Sequence, residues 1–181
     1  MKYFSSAETE IQALGRGVLL ESHLFAKAVT PTTAGVFLAH SSADEKTLPL
    51  AIGLLEKHGA KVYVDKIDKE LPKKTSAETG VKLKERITQC PKFIVYVTAN
   101  SKDSRWVPWE LGIADEKKTL RNVALLPDVT NQANRDWPEQ EYLGLYPRIV
   151  YHTFKDQPNP VWMVYDHHDN SGTELSAWLK R

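Results

Sequence analysis

The sequence predicts an α/β protein built on a parallel β-sheet with helices on both faces. Short apolar runs of four or five residues recur from residue 36 onward, and the segments between them carry apolar residues at helical spacing. Strands separated by helical crossovers favour a parallel sheet with right-handed connections. The five predicted strands of this sheet are residues 36–39, 61–64, 93–97, 123–126 and 148–151.

The segments before and after the predicted first strand contain helix signals. Residues 1–34 are predicted to form a helical extension, because Ser5 and Glu8 make a capping-box pattern ahead of apolar residues at helical spacing. After the strand, Ser42 and Glu45 form the same pattern, and Gly59 is suited to end the helix that follows.

The predicted second strand is followed by a charged loop over residues 66–80, which contains Pro72. A helix then runs to Gln89, and another extends from Ser104 to Lys118. At the C-terminus, residues 155–181 are predicted to be an extension packed on the main domain of residues 35–154. It contains a strand at 161–165 and a short helix capped by Ser171 and Glu174.

Composition narrows the function classes. The chain has 181 residues and a net charge of +1, so it has no global positive field to attract nucleic acid or an anionic membrane. No apolar run approaches the ~18–20 residues of a membrane helix, and Glu8 and Glu10 interrupt any signal-peptide pattern. The single cysteine, Cys90, precludes an internal disulfide. We therefore expect a single-domain cytoplasmic protein that binds neither nucleic acid nor membrane.

Several catalytic patterns are absent. The chain contains no GxGxxG, GxxxxGK[ST], GxSxG or HExxH motif. Cys90 is expected in the core rather than at a reactive position. The run Asp166-His167-His168-Asp169 is expected to be a solvated turn and not a metal site, because adjacent side chains point in different directions.

Three segments carry a family resemblance. They are residues 37–44 (FLAHSSAD), residues 62–65 (VYVD) and residues 104–114 (SRWVPWELGIA). Together they resemble the Toll/interleukin-1 receptor (TIR) domain, in particular the small bacterial TIR proteins of the antiphage-defence (Thoeris-like) type. The likeness covers about residues 35–126, with a weaker similarity over 141–147.

The resemblance implies a flavodoxin-like sheet of five parallel strands in the order 2-1-3-4-5. In such sheets, ligands bind beyond the carboxyl ends of the strands at the switch point. The resemblance places a catalytic glutamate at Glu110 and implies substrate-binding roles nearby. The residues expected to bind substrate are His40, Ser41, Ser42, Asp65, Asn100, Trp106 and Trp109.

The implied reaction is cleavage of the nicotinamide–ribose bond of NAD+, which is a substrate here, with no resident cofactor and no metal. Trp106 and Glu110 are four residues apart, so a helix would place an aromatic ring and a carboxylate on one face. Glu110 would stabilise an oxocarbenium-like state and hydrogen-bond the ribose hydroxyls. Because nicotinamide leaves as a neutral ring, a second carboxylic acid is not required.

Several alternatives remain open. Glu110 could be a surface charge, Ser41 and Ser42 could cap a helix, Asp65 could form a turn, and one of the two tryptophans is expected to pack in the core. The protein could be a non-catalytic TIR-like interaction scaffold, or an enzyme resembling nucleoside deoxyribosyltransferases. As an enzyme, it is expected to self-associate through TIR–TIR contacts and to produce an ADP-ribose-derived signal for a separate effector, or to deplete NAD+.

Overall fold

The computed structural model describes residues 1–9, 35–68, 70–72, 76–129 and 141–181, and within them the chain forms one seven-stranded sheet. The strands are β1 (Val36–Ala39), β2 (Val62–Tyr63), β3 (Lys92–Val97), β4 (Val123–Pro127), β5 (Arg148–His152), β6 (Val161–Asp166) and β7 (Ser171–Glu174). Their order is β2-β1-β3-β4-β5-β6-β7. The first five strands pair in parallel, and β6 and β7 are antiparallel to their neighbours.

The main α-helices follow the predicted crossovers. They are α1 (Leu48–Lys57), α2 (Ala77–Gln89), α3 (Trp106–Lys117) and the C-terminal α4 (Leu175–Lys180). No helix in the described ranges is long and apolar enough to cross a bilayer.

The two faces of the sheet bury separate cores because side chains alternate along each strand. On β3, Phe93 and Val95 face a cluster that includes residues of α2 and α3. Ile94 and Tyr96 face the opposite cluster, to which α1 and α4 contribute. Because β3 is covered on both faces, its side chains are buried on each side, and its sequence is apolar from Phe93 to Val97, as expected for such a parallel strand.

The predicted α/β class and the strand order 2-1-3-4-5 are confirmed, but the prediction of five strands was wrong. The expected strand at residues 161–165 lies in β6 (Val161–Asp166), and these five residues pair with β5 at the edge of the parallel sheet. Ser171–Glu174 forms β7 rather than a helix cap, and helix α4 begins only at Leu175. Ser171–Glu174 instead pairs with β6, and the Ser171 N–H that a capping box would have used donates to Asp169 Oδ1.

The helix start after β1 differs from the prediction in its capping residue. Ser41, not Ser42, accepts a backbone hydrogen bond at the start of the 3-10 helix Ser42–Asp44. Helix α1 begins at Leu48, with Pro49 in its first turn, which agrees with the expectation that this proline delays the helix start after Ser42. A proline is accommodated there because the first backbone N–H groups of a helix have no partner within the helix.

The charged loop after β2 is shorter than expected. A capping box between Ser76 and Thr79 begins α2 at Ala77, so the predicted loop terminus at Gly80 lies inside the helix. At the N-terminus, Ser5 Oγ accepts a hydrogen bond from the Glu8 N–H, as the capping-box pattern predicts. The rest of the predicted N-terminal helix, over residues 10–34, lies outside the described residues.

Cys90 is fully buried, as expected, between α2 and β3. Burial raises the pKa of its thiol to about 11. The thiol is therefore protonated near neutral pH, which fits a packing role rather than a nucleophilic one.

Candidate active site

Three polar side chains meet where the first two strands end. His40 follows β1 directly, Asp65 follows β2 after one residue, and Glu110 projects from the second turn of α3. His40 Nδ1 lies 3.7 Å from Asp65 Oδ1 and 3.4 Å from the carbonyl oxygen of Leu38. A proton on Nδ1 therefore faces two oxygens, which orients the imidazole ring.

Glu110 is enclosed, with only 2% of its surface exposed. Burial raises the pKa of its carboxyl well above 4.5, and the nearby charge of Asp65 raises it further. An acid held in this way has two uses in a site: it donates a proton when neutral, and it becomes a strong electrostatic partner for positive charge when ionised. Glu110 is thus not an ordinary surface residue of an amphipathic helix.

A third acid, Asp44, joins the two sides of the switch point between β1 and β3. Thr98 Oγ1 donates to the Asp44 carboxylate at 2.9 Å, and Asn100 Nδ2 donates to Asp44 Oδ1 at 2.6 Å. Asp44 is 4% exposed, so these bonds compensate for a buried polar group. The side chain of Asn100 therefore links the segment after β3 to the segment after β1 through its hydrogen bond to Asp44.

The serines after β1 have unequal positions. Ser41 is buried and its hydroxyl caps the following 3-10 turn, whereas Ser42 is exposed. Of this pair, only Ser42 has a side chain open to solvent.

The two tryptophans of α3 border a cavity of about 600 Å³ between α2 and α3. Trp106 also packs against the core, while Trp109 is 36% exposed, and their ring centroids lie 5.3 Å apart in an edge-on arrangement. Two cationic residues, Lys84 and Arg105, line the same cavity, and Lys84 Nζ lies 5.8 Å from the centre of the Trp109 ring. Aromatic faces beside positive charges suit a nucleotide, whose base stacks and whose phosphates are anionic.

The cavity beside Trp106 is lined by none of the three polar side chains at the strand ends. Neither Glu110 nor His40 is among the residues that line the cavity. The structure thus brings His40, Asp65 and Glu110 together and places Trp106 and Trp109 beside the cavity. Asn100 belongs to the Asp44 network.

An ionic cluster at the loop after β2 was not foreseen in the sequence. Arg86 on α2 pairs with Asp68 at 3.0 Å and also with Glu70, and the Tyr63 hydroxyl donates to Asp68 at 2.7 Å. Burial alone would raise the pKa of Asp68, but hydrogen bonds from Tyr63, the Glu70 N–H and Arg86 outweigh it and lower that pKa. The cluster anchors the loop that carries Asp65 to the body of α2.

Sequence reasoning included Asp44 in the segment of residues 37–44 but missed its partners, and it missed Arg86 altogether, for the same reason. Their partners lie 54 and 18 residues away along the chain, so no local pattern reports them. The sequence shows Asp44 and Arg86 only as charged residues in segments predicted to be helical. Their burial is known only from the structure.

The parallel sheet, its switch point and the helix bearing Trp106 and Glu110 define a TIR-type domain, and sequence comparison agrees. A family model described as TIR domain matches residues 36–162. The chain therefore belongs to the TIR domain family.

Comparison with a single relative gives a more specific similarity. The chain is 39% identical over 117 residues to a Bacillus cereus (strain MSX-D12) protein named probable 3′ cyclic ADP-D-ribose synthase ThsB′. The aligned region makes up 64% of this chain and 60% of the relative. The similarity thus spans less than two thirds of that protein's length.

Proposed function

We propose that this protein cleaves the nicotinamide–ribose bond of NAD+ and forms a cyclic ADP-ribose product that acts in bacterial antiphage defence. Membership of the TIR family and the similarity to a protein named as a cyclic ADP-ribose synthase support the reaction class. The observation that carries the proposal is the burial of the Glu110 side chain near the C-terminal ends of the parallel strands. Glu110 lies one helical turn after Trp106.

Glu110 would act in its ionised form. When the bond between the ribose C1′ and the nicotinamide nitrogen breaks, its electron pair moves to that nitrogen and neutralises the pyridinium ring. Positive charge then develops on the ribose, and a carboxylate in a site with little water stabilises it more strongly than one in bulk solvent. No acid is needed for the leaving group, which agrees with a site centred on one glutamate.

The neighbouring side chains have supporting roles in this proposal. The charge of Asp65 acts on Glu110, and the His40 ring lies beside Asp65, so both would contact the ribose or its hydroxyls. Trp106 and Trp109 offer aromatic surface for a base, and Ser41, Ser42 and Asn100 lie along the same edge of the sheet. NAD+ is the substrate in this scheme, and no resident cofactor is invoked.

The fate of the ribose cation decides between the two product classes. Capture by a hydroxyl of the same molecule, with loss of that hydroxyl's proton, gives a cyclic ADP-ribose. Capture by water gives linear ADP-ribose. We favour the cyclic product because the relative's name specifies one.

The test is incubation of NAD+ with wild-type protein and with Glu110→Gln, followed by chromatography with mass detection. We expect nicotinamide release from the wild type and a loss of at least a hundredfold in the variant. Glu116→Gln is the matched control, since Glu116 lies on the same helix with 69% of its side chain exposed. NAD+ cleavage that persists in Glu110→Gln would contradict the proposal.

Self-association and signalling to a separate effector are further parts of the proposal. Mass photometry of the protein with and without NAD+ checks the first. Adding the purified reaction products to lysates of effector-bearing cells and measuring effector output checks the second. A protein that stays monomeric while it turns over NAD+ would remove the expected role for TIR–TIR contacts.

A further inference from the structure

The hairpin between β6 and β7 places three metal-ligating side chains together, away from the site described above. Asp166, His167 and His168 each offer one ligand atom, and the three atoms lie within 4.8 Å of one another. The sequence-based argument against a site assumed that adjacent side chains diverge. In this tight turn they converge, and the two imidazole rings lie 4.1 Å apart, centre to centre.

Hydrogen bonds fix the shape of the turn. The His168 N–H donates to Asp166 Oδ1 at 2.9 Å, and the Ser171 N–H donates to Asp169 Oδ1 at 3.0 Å. Asn170 adopts a positive φ of 54°, and its side chain accepts a hydrogen bond from the Tyr165 hydroxyl. The backbone that carries the three ligands is therefore held in place before any ion binds.

The ring of His168 is oriented in the way that metal-bound histidines usually are. Its Nε2 lies 3.0 Å from the carbonyl oxygen of Gly144. When that nitrogen carries the proton and donates it to the carbonyl, Nδ1 keeps a free lone pair. A backbone carbonyl commonly fixes the tautomer of a metal ligand in this manner.

The His167 side chain is an independent indication of an ion-binding site at this turn. Its Nδ1 is buried, and it has no hydrogen-bond partner among the residues that the structure describes. A buried ring nitrogen without a partner is costly unless something else satisfies it.

We propose that Asp166, His167 and His168 bind one Zn²⁺ ion, with water completing the coordination. Two imidazoles and one carboxylate are a donor set that suits zinc better than Mg²⁺ or Ca²⁺, which prefer oxygen ligands. Tetrahedral zinc requires ligand atoms about 3.4 Å apart, so the three atoms must approach each other by up to about 1.4 Å. That adjustment would be shared among the three side chains, so that His168 Nε2 keeps its contact with Gly144.

The proposed ion would strengthen the edge of the sheet. Through His168 it would join the β6–β7 turn to Gly144, which lies in the 3-10 helix just before β5. The site lies outside the candidate active site, so its function is distinct from NAD+ cleavage.

The test uses untagged full-length protein stripped with a chelator and titrated with Co²⁺ and Zn²⁺. We expect one Co²⁺ per chain, with the visible absorption bands of a four-coordinate site that Zn²⁺ abolishes. Zn²⁺, but not Mg²⁺, should raise the melting temperature. Asp166→Asn and His168→Gln should each weaken Zn²⁺ binding at least tenfold.

The matched control is His58→Gln, which also removes one imidazole but lies at the end of α1. It should bind Zn²⁺ as tightly as the wild type does. His168→Gln retains a side-chain amide for Gly144, and circular dichroism checks that each variant is folded. Wild-type protein without stoichiometric Zn²⁺ binding, or equal binding by His168→Gln and His58→Gln, would overturn the proposal.

Discussion

Replacing Glu110 by glutamine should stabilise the folded protein, and the gain should increase with pH. Glutamine keeps the size of a protonated glutamic acid and cannot ionise. The folded state of the wild type holds Glu110 protonated because burial, and then Asp65, raise its pKa above 4.5. In the unfolded chain the same carboxyl ionises at its ordinary pKa, so the wild type loses stability as the pH rises from about 4.5 to the raised value.

The size of the effect follows from linkage. Each pH unit between the unfolded and folded pKa values costs the wild type about 1.4 kcal/mol relative to the variant. For a chain of this length, 1 kcal/mol shifts the melting temperature by about 2–4 °C, so the difference should grow by about 3–6 °C per pH unit. Above the folded pKa the difference should become constant.

Thermal unfolding followed by circular dichroism at a series of pH values measures this difference. Glu116→Gln on the exposed side of α3 should stay within about 0.5 kcal/mol of the wild type at every pH. A difference between Glu110→Gln and the wild type that is flat with pH would refute the assignment of Glu110 as a buried protonated acid. It would do so whether or not the protein consumes NAD+.

Four other outcomes can be measured. If NAD+ cleavage uses the ionised form of Glu110, kcat/KM should rise with pH through the raised pKa and then level off. Arg86→Met should lower the free energy of unfolding in urea by about 3 kcal/mol, since it leaves the buried Asp68 carboxylate without its cation, and Arg86→Lys should restore only part of it. Gly112→Ala should raise that free energy by about 1 kcal/mol, because a methyl group there meets no atom within 4 Å and alanine favours the helix. Cys90 should react with a thiol reagent only as fast as the protein unfolds, because the thiol is fully buried with a pKa of about 11.

The central strands could be predicted from the sequence because their burial makes them apolar throughout. β3 is the clearest case: it is buried on both faces, and its β-branched and aromatic residues identify it without any tertiary information. The order of the first five strands followed from the family resemblance, and the structure confirms that order.

Strand β7, at the edge of the sheet, could not be predicted as well, because its sequence is compatible with two different structures. Ser171 and Glu174 have the spacing of a capping box, and they also fit a short, half-exposed strand. What decides between them is the partner strand β6, which supplies backbone hydrogen bonds along the whole of β7. That partner becomes available only once the antiparallel hairpin forms.

The candidate site was predictable in part. The four-residue spacing of Trp106 and Glu110 correctly indicates a shared helix, and Pro108 is accommodated in its first turn. The spacing could not show that Glu110 is buried close enough to Asp65 for that charge to raise its pKa, or that Glu110 does not line the cavity beside Trp106. Those facts depend on how α3 packs against the sheet and α2.

The acids near the carboxyl edge of the sheet differ in how their burial is compensated. Asp44 accepts hydrogen bonds from Thr98 and Asn100. Asp68 accepts hydrogen bonds from a tyrosine hydroxyl, a backbone N–H and an arginine, and these lower its pKa despite its burial. Glu110 is also buried, yet its pKa is raised, and the charge that contributes most to it is another carboxylate. The fold thus provides hydrogen-bond donors for Asp44 and Asp68, but it retains at Glu110 a buried acid whose raised pKa lowers stability. Residues with perturbed pKa values of this kind are concentrated in the active sites of proteins.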